Sequence, residues 1–474
     1  MASHELEYTT PALVAFARLR QRPGLFWVDA ATADGASFMG FAPVAQLHVH
    51  TSGRVERFDA SGEAHACHGG IAEIERFVAE AAVLDGSDPP PRTIGFFGYD
   101  LGPLLEPHVR APGPSEPWLP AAWLGRYDAV LACHPIGALD GPCRLVVHAT
   151  DDGAAKRLID AIDEASDADA DLESARRALP AGRLLELPSE APYASALERA
   201  LDYIAAGDVY QVNLTGRFRV ASAADPAEVY VRLREAQPVP HGFFLDCGPF
   251  QVLGRSPERF VRVRGHAIRT EPIKGTRPRH GDLEDDLAAV AELRADPKER
   301  AEHVMIVDLE RNDLGRLCRA GSVRVSSLLR VESFATLHHL VSTVEGRLET
   351  EVDLASILRS TFPGGSITGA PKIRATQVIA ELETQARGVY TGALAWFRSP
   401  RDFDSAIAIR TAVAHEGVLA YHAGGGIVAD SDPEKEYAEC WLKARVFLDV
   451  LLGASAAERA FSSPSEAPAP GRFA

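Results

Sequence analysis

Short runs of apolar and β-branched residues, separated by polar turns, dominate residues 1–150 and predict a sheet with few helices. Four of these runs are typical of strands bounded by Gly, Pro or Asp: LFWVDA, QLHVHT, TIGFFGYD and CRLVVHAT. Between them, GGIAEIERFVAEAAVL at 69–84 carries its apolar residues at helical spacing. Residues 1–150 are therefore predicted to form a mixed α/β unit.

The pattern changes twice further along the chain. Residues 151–186 are acidic, rich in Ala and poor in aromatic residues, which predicts one or two helices crossing an exposed connection. From residue 187 to about 452, helices and strands follow one another without regular βαβ alternation, which favours an α+β fold. This second region begins with an amphipathic helix that ends at Gly207 and is followed by a strand. Residues 453–474 are small, polar and rich in Pro, and we expect them to be disordered.

Composition excludes several classes of protein. With 66 acidic and 49 basic residues the net charge is −17, which argues against a sequence-independent nucleic-acid binder but allows a local basic pocket. The six cysteines form no CxxC pair and fit free thiols in a reducing compartment. The chain starts without a signal-peptide pattern and has no apolar run long enough to span a membrane. We expect a cytoplasmic protein that binds neither nucleic acid nor membrane.

Lysine is scarce, and one lysine stands out. Of the 49 lysine and arginine residues, only six are lysines. Lys274 is one of the six and lies in RTEPIKGTRPR (269–279), where a short strand is predicted to run into a turn. Unlike arginine, lysine can lose a proton when it is removed from water and can then act as a base or nucleophile. A solvated loop cation is the simpler alternative.

Two predicted helices begin alike, in ADPKERAEHVMIVDLERND (295–313) and SDPEKEYAECWLKARVFL (431–448). Each opens with Asp-Pro, a capping residue followed by proline in the first turn. Each then carries two glutamates three residues apart on one face: Glu299 and Glu302, and Glu436 and Glu439. Four carboxylates around one cleft would form an all-oxygen site suited to Mg²⁺. The alternatives are a capping-box role for Glu299 and general complementarity to the helix dipole.

Other motifs indicate an anionic ligand. Two glycine-rich turns, FPGGSITGAPK (362–372) and HAGGGIVADSD (422–432), precede helices, and their N–H groups could hold a carboxylate; the ending of a nucleotide P-loop is missing. In AIAIRTAV (406–413), which alternates like a strand, Arg410 has small neighbours and could clamp a carboxylate. Glu258 follows a proline at a strand end and could be a general acid or a surface residue. His338 and His339 are predicted on opposite faces of a strand.

These motifs occur together in one known family. GDVYQVNL, RSPERF, EPIKGT, ERAEHVMIVDLERND, HHLVST, FPGGSITGAPK, AIRT and GGGIVADSDPEKEYAE resemble, in this order, the chorismate-utilising enzymes. That family includes the large subunits of anthranilate synthase and aminodeoxychorismate synthase, isochorismate synthase and salicylate synthase. The resemblance is strong over about 190–450 and looser at 36–43 and 93–102. It implies an α+β sandwich of two large antiparallel sheets with helices outside and the site between them.

Two positions indicate the reaction within this family. A glutamine at Gln211 resembles the ammonia-using members, since water-using members have a lysine there. Lysine at Lys274 is similar to the aminodeoxychorismate synthases, whereas anthranilate synthases have alanine. The resemblance implies that the Lys274 amine adds to C2 of chorismate as the C4 hydroxyl leaves, with Glu258 as acid and base, and that ammonia then displaces the lysine. A neutral amine is required, so we expect burial or cationic neighbours to lower the pKa of Lys274.

The resemblance also implies a set of ligand contacts and a partner. Mg²⁺ bound to the four glutamates would hold the ring carboxylate. Arg410 and the glycine-rich turn at 424–426 would hold the enolpyruvyl carboxylate. The implied substrate-binding residues are Thr276, His339, Thr368, Arg410, Gly424, Gly425, Gly426 and Lys443. No cysteine has the setting of a glutamine amidotransferase nucleophile, so a separate glutaminase subunit is expected to supply ammonia for the synthesis of a p-aminobenzoate and folate precursor.

Two departures and three alternatives stand beside this interpretation. Trp396 occupies a position where the family has tyrosine, and the N-terminal region lacks the Leu-Leu-Glu-Ser element of tryptophan-inhibited anthranilate synthases. The alternatives are anthranilate synthase component I, which would release pyruvate, a water-using isochorismate or salicylate synthase, and a non-catalytic chorismate-binding subunit. Gln211 argues against a water-using synthase. The presence of Glu258, Lys274 and the four glutamates argues against a non-catalytic subunit.

Overall fold

The computed structural model describes residues 2–30, 35–81, 89–136, 141–164, 179–334 and 337–462. Over these ranges the chain forms two twelve-stranded antiparallel sheets that stack face to face, with helices on both outer faces. The predicted α+β sandwich is confirmed. No helix in the described ranges is long and apolar enough to cross a membrane.

The strands of the two sheets alternate along the chain in blocks rather than one by one. They are β1 (Ala2–Thr10), β2 (Phe26–Asp29), β3 (Ser37–Gly40), β4 (Ala45–Val49), β5 (Val55–Asp59), β6 (Ala64–Cys67), β7 (Thr93–Phe97), β8 (Ala122–Arg126), β9 (Ala129–Pro135), β10 (Cys143–Ala149), β11 (Arg183–Glu186), β12 (Gln211–Ala221), β13 (His241–Asp246), β14 (Phe250–Ser256), β15 (Arg259–Arg264), β16 (Ala267–Glu271), β17 (Ile273–Pro278), β18 (Arg324–Ser333), β19 (Leu337–Arg347), β20 (Gly369–Ala370), β21 (Ala393–Ser399), β22 (Asp402–Ile407), β23 (Thr411–His415) and β24 (Val418–Ile427).

The first sheet has the order β1-β10-β9-β3-β2-β13-β14-β23-β24-β12-β11, with β20 also pairing with β12. The second sheet has the order β17-β19-β16-β15-β22-β21-β7-β8-β4-β5-β6, with β18 also pairing with β19. Each sheet thus combines five strands from residues 1–150 with strands from the later region. The two regions join where β2 pairs with β13 and where β7 pairs with β21.

The helices cover the outer faces and are capped as the sequence suggests. They are α1 (Ala12–Leu19), α2 (Ala72–Ala79), α3 (Gly102–Leu105), α4 (Asp152–Asp163), α5 (Glu190–Ala205), α6 (Pro226–Ala236), α7 (Leu283–Ala295), α8 (Pro297–Gly315), α9 (Leu354–Thr361), α10 (Lys372–Leu382), α11 (Pro433–Leu452) and α12 (Ala454–Ser462). The Asp296 carboxylate accepts from the amides of Lys298 and Glu299 at the start of α8, and Asp432 accepts from the Lys435 amide at the start of α11.

Three apolar clusters hold the layers together. Between the sheets, side chains such as Phe96 of β7 and Phe250 of β14 meet edge to face with ring centroids 6.1 Å apart. On the outer face of the first sheet, Trp27 and Phe16 pack beneath the helices with ring centroids 4.6 Å apart. A third cluster lies between the second sheet and its helices. This packing fixes the ends of both sheets, and the polar residues of the candidate site project from these ends.

Four local predictions differ from the structure. AIAIRTAV is not one strand, because β22 ends at Ile407 in the second sheet and β23 begins at Thr411 in the first; Arg410 lies in the crossing with a φ of 51°. Lys274 lies inside β17 beside a bulge at Gly275, rather than at a turn. The glycines 424–426 belong to β24 and not to a turn.

The fourth difference concerns the segment predicted as a disordered tail. Within the predicted connection, 151–186, the structure has the helix α4, as predicted, and the short strand β11, and residues 165–178 lie outside the described ranges. Within 453–474, Ala454–Ser462 form a helix whose Ala457 is buried in the outer core of the first sheet, so this part is not disordered. Residues 463–474 lie outside the described ranges.

Candidate active site

Residues from both sheets converge at Gly426 of β24. A Cβ atom built on Gly426 would lie 2.5 Å from Nε2 of Gln211, at the start of β12, and 3.3 Å from Nζ of Lys274, in β17 of the second sheet. Only glycine permits two such side chains to approach the strand this closely. The predicted nucleophile and the predicted ammonia-selecting amide therefore lie together.

Lys274 is half-buried, and its surroundings lower the pKa of its side-chain amine. Removal from water is the main cause that lowers the pKa of Lys274, and the positive charge of Lys443 lowers it further. The carboxylates of Glu302, Glu258 and Glu299 act in the opposite direction without cancelling the effect. The expected direction of the shift is confirmed.

Glu258 lies in the turn between β14 and β15 and is 5% exposed. Burial raises the pKa of Glu258 to about 7, although the Ser366 hydroxyl, the Lys274 charge and the Ile273 amide partly oppose the rise. The backbone around Glu258 is fixed, because its amide donates to Ser256 Oγ and its carbonyl accepts from the Ile407 amide. A carboxyl with this pKa can both donate and accept a proton near neutral pH.

The Gln211 amide is completely buried, and neither its oxygen nor its nitrogen has a hydrogen-bond partner in the described part of the chain. Asn213, two residues along β12, faces the same side, and its Oδ1 also lacks a partner there. Buried amides without partners are rare in native folds and indicate a place for a polar ligand. The sequence reasoning missed Asn213, although its spacing from Gln211 in a strand would have identified it.

The four predicted metal-binding glutamates approach two strands, the glycine strand β24 and the Lys274 strand β17. A Cβ atom on Gly425 of β24 would lie 3.0 Å from Glu436 Oε2 and 3.9 Å from Glu439 Oε1. A Cβ atom on Gly275 of β17, next to Lys274, would lie 3.2 Å from Glu299 Oε2, and the charge of Glu302 acts on the Lys274 amine. The starts of α8 and α11 therefore bring their glutamates to the two strands that meet at Lys274 and Gly426.

The charges of these glutamates interact across the cleft. Burial raises the pKa values of Glu299, Glu302 and Glu436, and the negative charge of a glutamate on the other helix raises each of the first two further. Burial also acts to raise the pKa of Glu439, but the neighbouring Lys443, whose Nζ lies 2.7 Å from Glu439 Oε1, outweighs it, so the net shift is downward.

The quartet is more open than a closed metal cage. Within the described residues, the three acidic or histidine side chains whose ligand atoms lie within 4.8 Å of one another are Asp59, Glu63 and His65, all exposed and remote in sequence from this cleft. The quartet nevertheless offers an all-oxygen donor set of mutually repelling, partly buried carboxylates. This donor set fits Mg²⁺, which keeps several waters and takes few protein ligands.

Arg410 and His339 form a second group of unsatisfied polar atoms. Arg410 Nη1 and His339 Nε2 are buried without hydrogen-bond partners among the residues described. Burial, followed by the nearby charge of Arg410, lowers the pKa of His339 to about 4, so its imidazole is neutral at neutral pH. On the other side of the ring, His339 Nδ1 lies 3.0 Å from Thr276 Oγ1 and 3.4 Å from the Gly275 carbonyl.

The remaining predicted substrate-binding residues have internal contacts. The Thr368 hydroxyl is fully buried and donates to the Gly364 carbonyl at 2.7 Å, and the Lys443 ammonium donates to the Gly424 carbonyl at 2.8 Å. Gly424 is required by strand pairing, because a Cβ atom there would lie 1.9 Å from the Leu214 carbonyl oxygen. Their contacts to substrate stay predictions.

Trp396 does not lie in this group of residues. It lines a separate cavity of about 250 Å³ between the sheets, together with His241, Arg259, Arg262 and Asp29. The replacement of tyrosine by tryptophan at this position therefore changes that cavity and not the surroundings of Lys274.

Comparisons with known proteins agree with this geometry. A family model described as chorismate binding enzyme matches residues 25–449. The chain is 48% identical over 270 residues to anthranilate synthase component 1 of Streptomyces coelicolor, covering 57% of this chain and 53% of that protein. It is 44% identical over 256 residues to aminodeoxychorismate synthase component 1 of Bacillus subtilis, covering 54% of each. In these two alignments the chain spans about half the length of each relative.

A solved structure extends the likeness over most of the chain. The fold superposes with a TM-score of 0.72 on anthranilate synthase component I from Streptococcus pneumoniae, at 30% identity, covering 86% of this chain and 91% of that one. The similarity therefore includes both the sandwich and the region that carries Lys274.

Proposed function

The chain belongs to the chorismate binding enzyme family, and we propose that it converts chorismate and ammonia to 4-amino-4-deoxychorismate, as the large subunit of an aminodeoxychorismate synthase. The observation that carries this proposal is the Lys274 amine. It lies beside the buried Gln211 amide at Gly426, and its pKa is lowered by removal from water. By resemblance, anthranilate synthases have alanine at this position and do not use a lysine nucleophile in addition to ammonia.

The proposed first step joins lysine to the ring. The neutral Lys274 amine forms a bond to C2 of chorismate, the two ring double bonds shift from C1=C2 and C5=C6 to C1=C6 and C4=C5, and the C4–O bond breaks. The hydroxyl takes the proton of the Glu258 carboxyl and leaves as water. A hydroxyl is a poor leaving group unless it is protonated, and a carboxyl with a pKa of about 7 is still about half protonated at neutral pH.

In the second step ammonia replaces the lysine. Its nitrogen bonds to C4, the two ring double bonds shift back to C1=C2 and C5=C6, and the Lys274 amine leaves C2 in its neutral form. The Glu258 carboxylate takes the proton that the new C4 ammonium releases, which restores the starting state. The unpartnered oxygen of Gln211 can accept a hydrogen bond from the incoming ammonia.

Mg²⁺ is proposed to bind between α8 and α11. Glu299, Glu302, Glu436 and Glu439 would hold the ion, because their carboxylates are partly buried and the negative charges of neighbouring glutamates raise the pKa values of Glu299, Glu302 and Glu436. When bound, the ion would neutralise the ring carboxylate of the substrate. The enolpyruvyl carboxylate would be held at Arg410, whose Nη1 has no hydrogen-bond partner among the described residues.

A separate glutaminase subunit is proposed as the source of ammonia. Both curated relatives described above carry the designation component 1 in their names, which supports a second component. The product would then serve p-aminobenzoate and folate synthesis. We expect the isolated chain to use ammonium but not glutamine.

The proposal is tested by product identification. The purified chain is incubated with chorismate, Mg²⁺ and ammonium, and the product is identified by mass and ultraviolet spectrum. Lys274→Ala runs in parallel, with Lys156→Ala as the matched control, since Lys156 is 76% exposed and remote on α4. We expect aminodeoxychorismate from the wild type and the control, and almost none from Lys274→Ala.

A second measurement addresses the covalent step. Without ammonia, the wild type should gain the mass of chorismate minus one water on the peptide that contains Lys274, and Lys274→Ala should not. If the wild type instead releases anthranilate and pyruvate, the second candidate, anthranilate synthase component I, replaces the first; the 48% identity to such a protein favours it as the alternative. Binding of chorismate without any turnover would indicate a non-catalytic subunit.

A further inference from the structure

Arg255 is a buried cation that the proposed reaction does not use. It is the penultimate residue of β14, is 4% exposed, and its amide donates to the Arg410 carbonyl at 3.1 Å. Its Nη2 is buried and lacks a hydrogen-bond partner, and its guanidinium forms no ion pair within the described ranges. An unpaired buried guanidinium is costly, since its N–H groups lose water without replacement.

The nearest acidic residue is occupied elsewhere. Asp29, whose charge reaches Arg255, accepts from Arg234 Nε at 2.5 Å, from Ser37 Oγ at 3.2 Å and from Tyr230 at 3.3 Å. Asp29 therefore already has a close cation and two hydroxyl donors. In a chain with 66 acidic residues, Arg255 has been left without a close carboxylate.

Its neighbour Arg410 is in the same condition. Arg410 forms no ion pair among the described residues either, and its Nη1 is buried without a partner. Burial first, and then the adjacent Arg410 charge, lowers the pKa of Arg255 to about 10. Two like charges that are held side by side out of water repel each other and lose their hydration. An anion bound between or beside them offsets both the repulsion and the lost hydration.

We infer that Arg255 is the second cation of the Arg410 subsite, so that this subsite selects ligands carrying a carboxylate there over ligands that are neutral at that position. The inference deepens the proposed function and rests on it, because the carboxylate is the one that chorismate carries on its enolpyruvyl group. Arg255 acts on this group through its charge, beside the direct donor Arg410 and the neutral His339.

Two aromatic probes separate this charge from the rest of the site. 3-(1-Carboxyvinyloxy)benzoate carries both carboxylates, and 3-(isopropenyloxy)benzoate has a methyl group in place of the side-chain carboxylate. Their affinities for the full-length chain are measured calorimetrically with Mg²⁺ present. We expect Arg255→Met to weaken the diacid on the order of tenfold to a hundredfold and the monoacid by less than about twofold. Arg255→Lys should restore most of the loss.

Arg387→Met is the matched control, because Arg387 is as buried as Arg255 but is paired with Glu383, whose charge is not among those that reach Arg255. It should leave the ratio of the two affinities unchanged while it lowers the melting temperature. Arg255→Met should keep or raise the melting temperature of the unliganded chain, because it removes an unpaired buried charge. A residue with a merely structural role would show the opposite behaviour.

The outcomes distinguish this inference from the proposed function. If the wild type binds the diacid more tightly than the monoacid and Arg255→Met keeps that preference, the inference about Arg255 is wrong while the function stands. If Arg255→Met melts lower and weakens both probes equally, Arg255 is structural and the inference is again wrong. If the wild type shows no preference for the diacid, the carboxylate subsite itself is refuted.

Discussion

Glu258 should make the fold less stable as the pH rises, and Glu258→Gln should remove that effect. The folded chain holds the pKa of Glu258 at about 7, whereas the ordinary value is 4.5. Below pH 4.5 the carboxyl is protonated in both the folded and unfolded states and contributes no difference. Between these two pH values the unfolded chain ionises first, so the free energy of unfolding falls as the pH rises.

The size of the effect follows from the two pKa values. At about 1.36 kcal/mol for each unit of pKa, the difference between about 7 and 4.5 corresponds to about 3 kcal/mol, reached above pH 7. Glutamine has nearly the same shape and never ionises, so Glu258→Gln escapes this destabilisation. The variant should therefore be inactive and yet more stable than the wild type by up to about 3 kcal/mol at pH 8.5, with little difference at pH 4.5.

Urea unfolding followed by tryptophan fluorescence at several pH values between 4.5 and 8.5 provides the assay. Glu416→Gln is the control, since Glu416 is 84% exposed and its removal should leave the pH dependence of the wild type unchanged. The reasoning would be refuted if the wild type and Glu258→Gln lost stability in parallel across this range. That result would mean that the Glu258 carboxyl is ionised in the folded chain at ordinary pH and cannot serve as the proton donor.

Three further predictions concern other parts of the site. Gly426→Ala places a Cβ atom 2.5 Å from the Gln211 amide, and should lower kcat at least about tenfold, whereas Gly281→Ala, which meets nothing within 4 Å, should not change kcat. Arg387→Met leaves the buried Glu383 carboxylate without its cation and should lower the free energy of unfolding by about 3–5 kcal/mol in a denaturant titration. A change below about 1 kcal/mol would contradict a stabilising role of the Arg387–Glu383 ion pair. Mg²⁺ should raise the melting temperature of the wild type but not of Glu302→Gln, and an equal rise in both would exclude Glu302 as a ligand.

The sequence was most informative where local chemistry sets the structure. Asp296 and Asp432 were predicted to cap two helices, and both do, because the Asp-Pro pair fixes where a helix begins. The strand that places His338 and His339 on opposite faces was also predicted correctly. The caps are contacts within a few residues of one another, and the two faces of the strand follow from the alternation of neighbouring residues.

The sequence failed where long-range packing decides. AIAIRTAV alternates like a single strand, yet the chain crosses from one sheet to the other at Arg410, because each half pairs with a different neighbour. Asn213 could have been found from its two-residue spacing to Gln211, but Arg255 could not, since its lack of a partner exists only in the folded chain. The two-sheet architecture itself came from resemblance to a family, and no periodicity in the sequence could have supplied the strand orders.

The way the sheets are shared between the two halves of the chain limits how this protein can be divided. The strands from residues 1–150 complete both sheets, at the pairs β2–β13 and β7–β21. A fragment restricted to the later region would expose the hydrogen-bonding edges of β13 and β21, two strands that are internal in the whole chain. Such long, apolar edges are templates for pairing with other chains, so the isolated catalytic region would aggregate rather than act as an enzyme. The residues proposed for the site all belong to the later region, and the early region completes the two sheets that carry them.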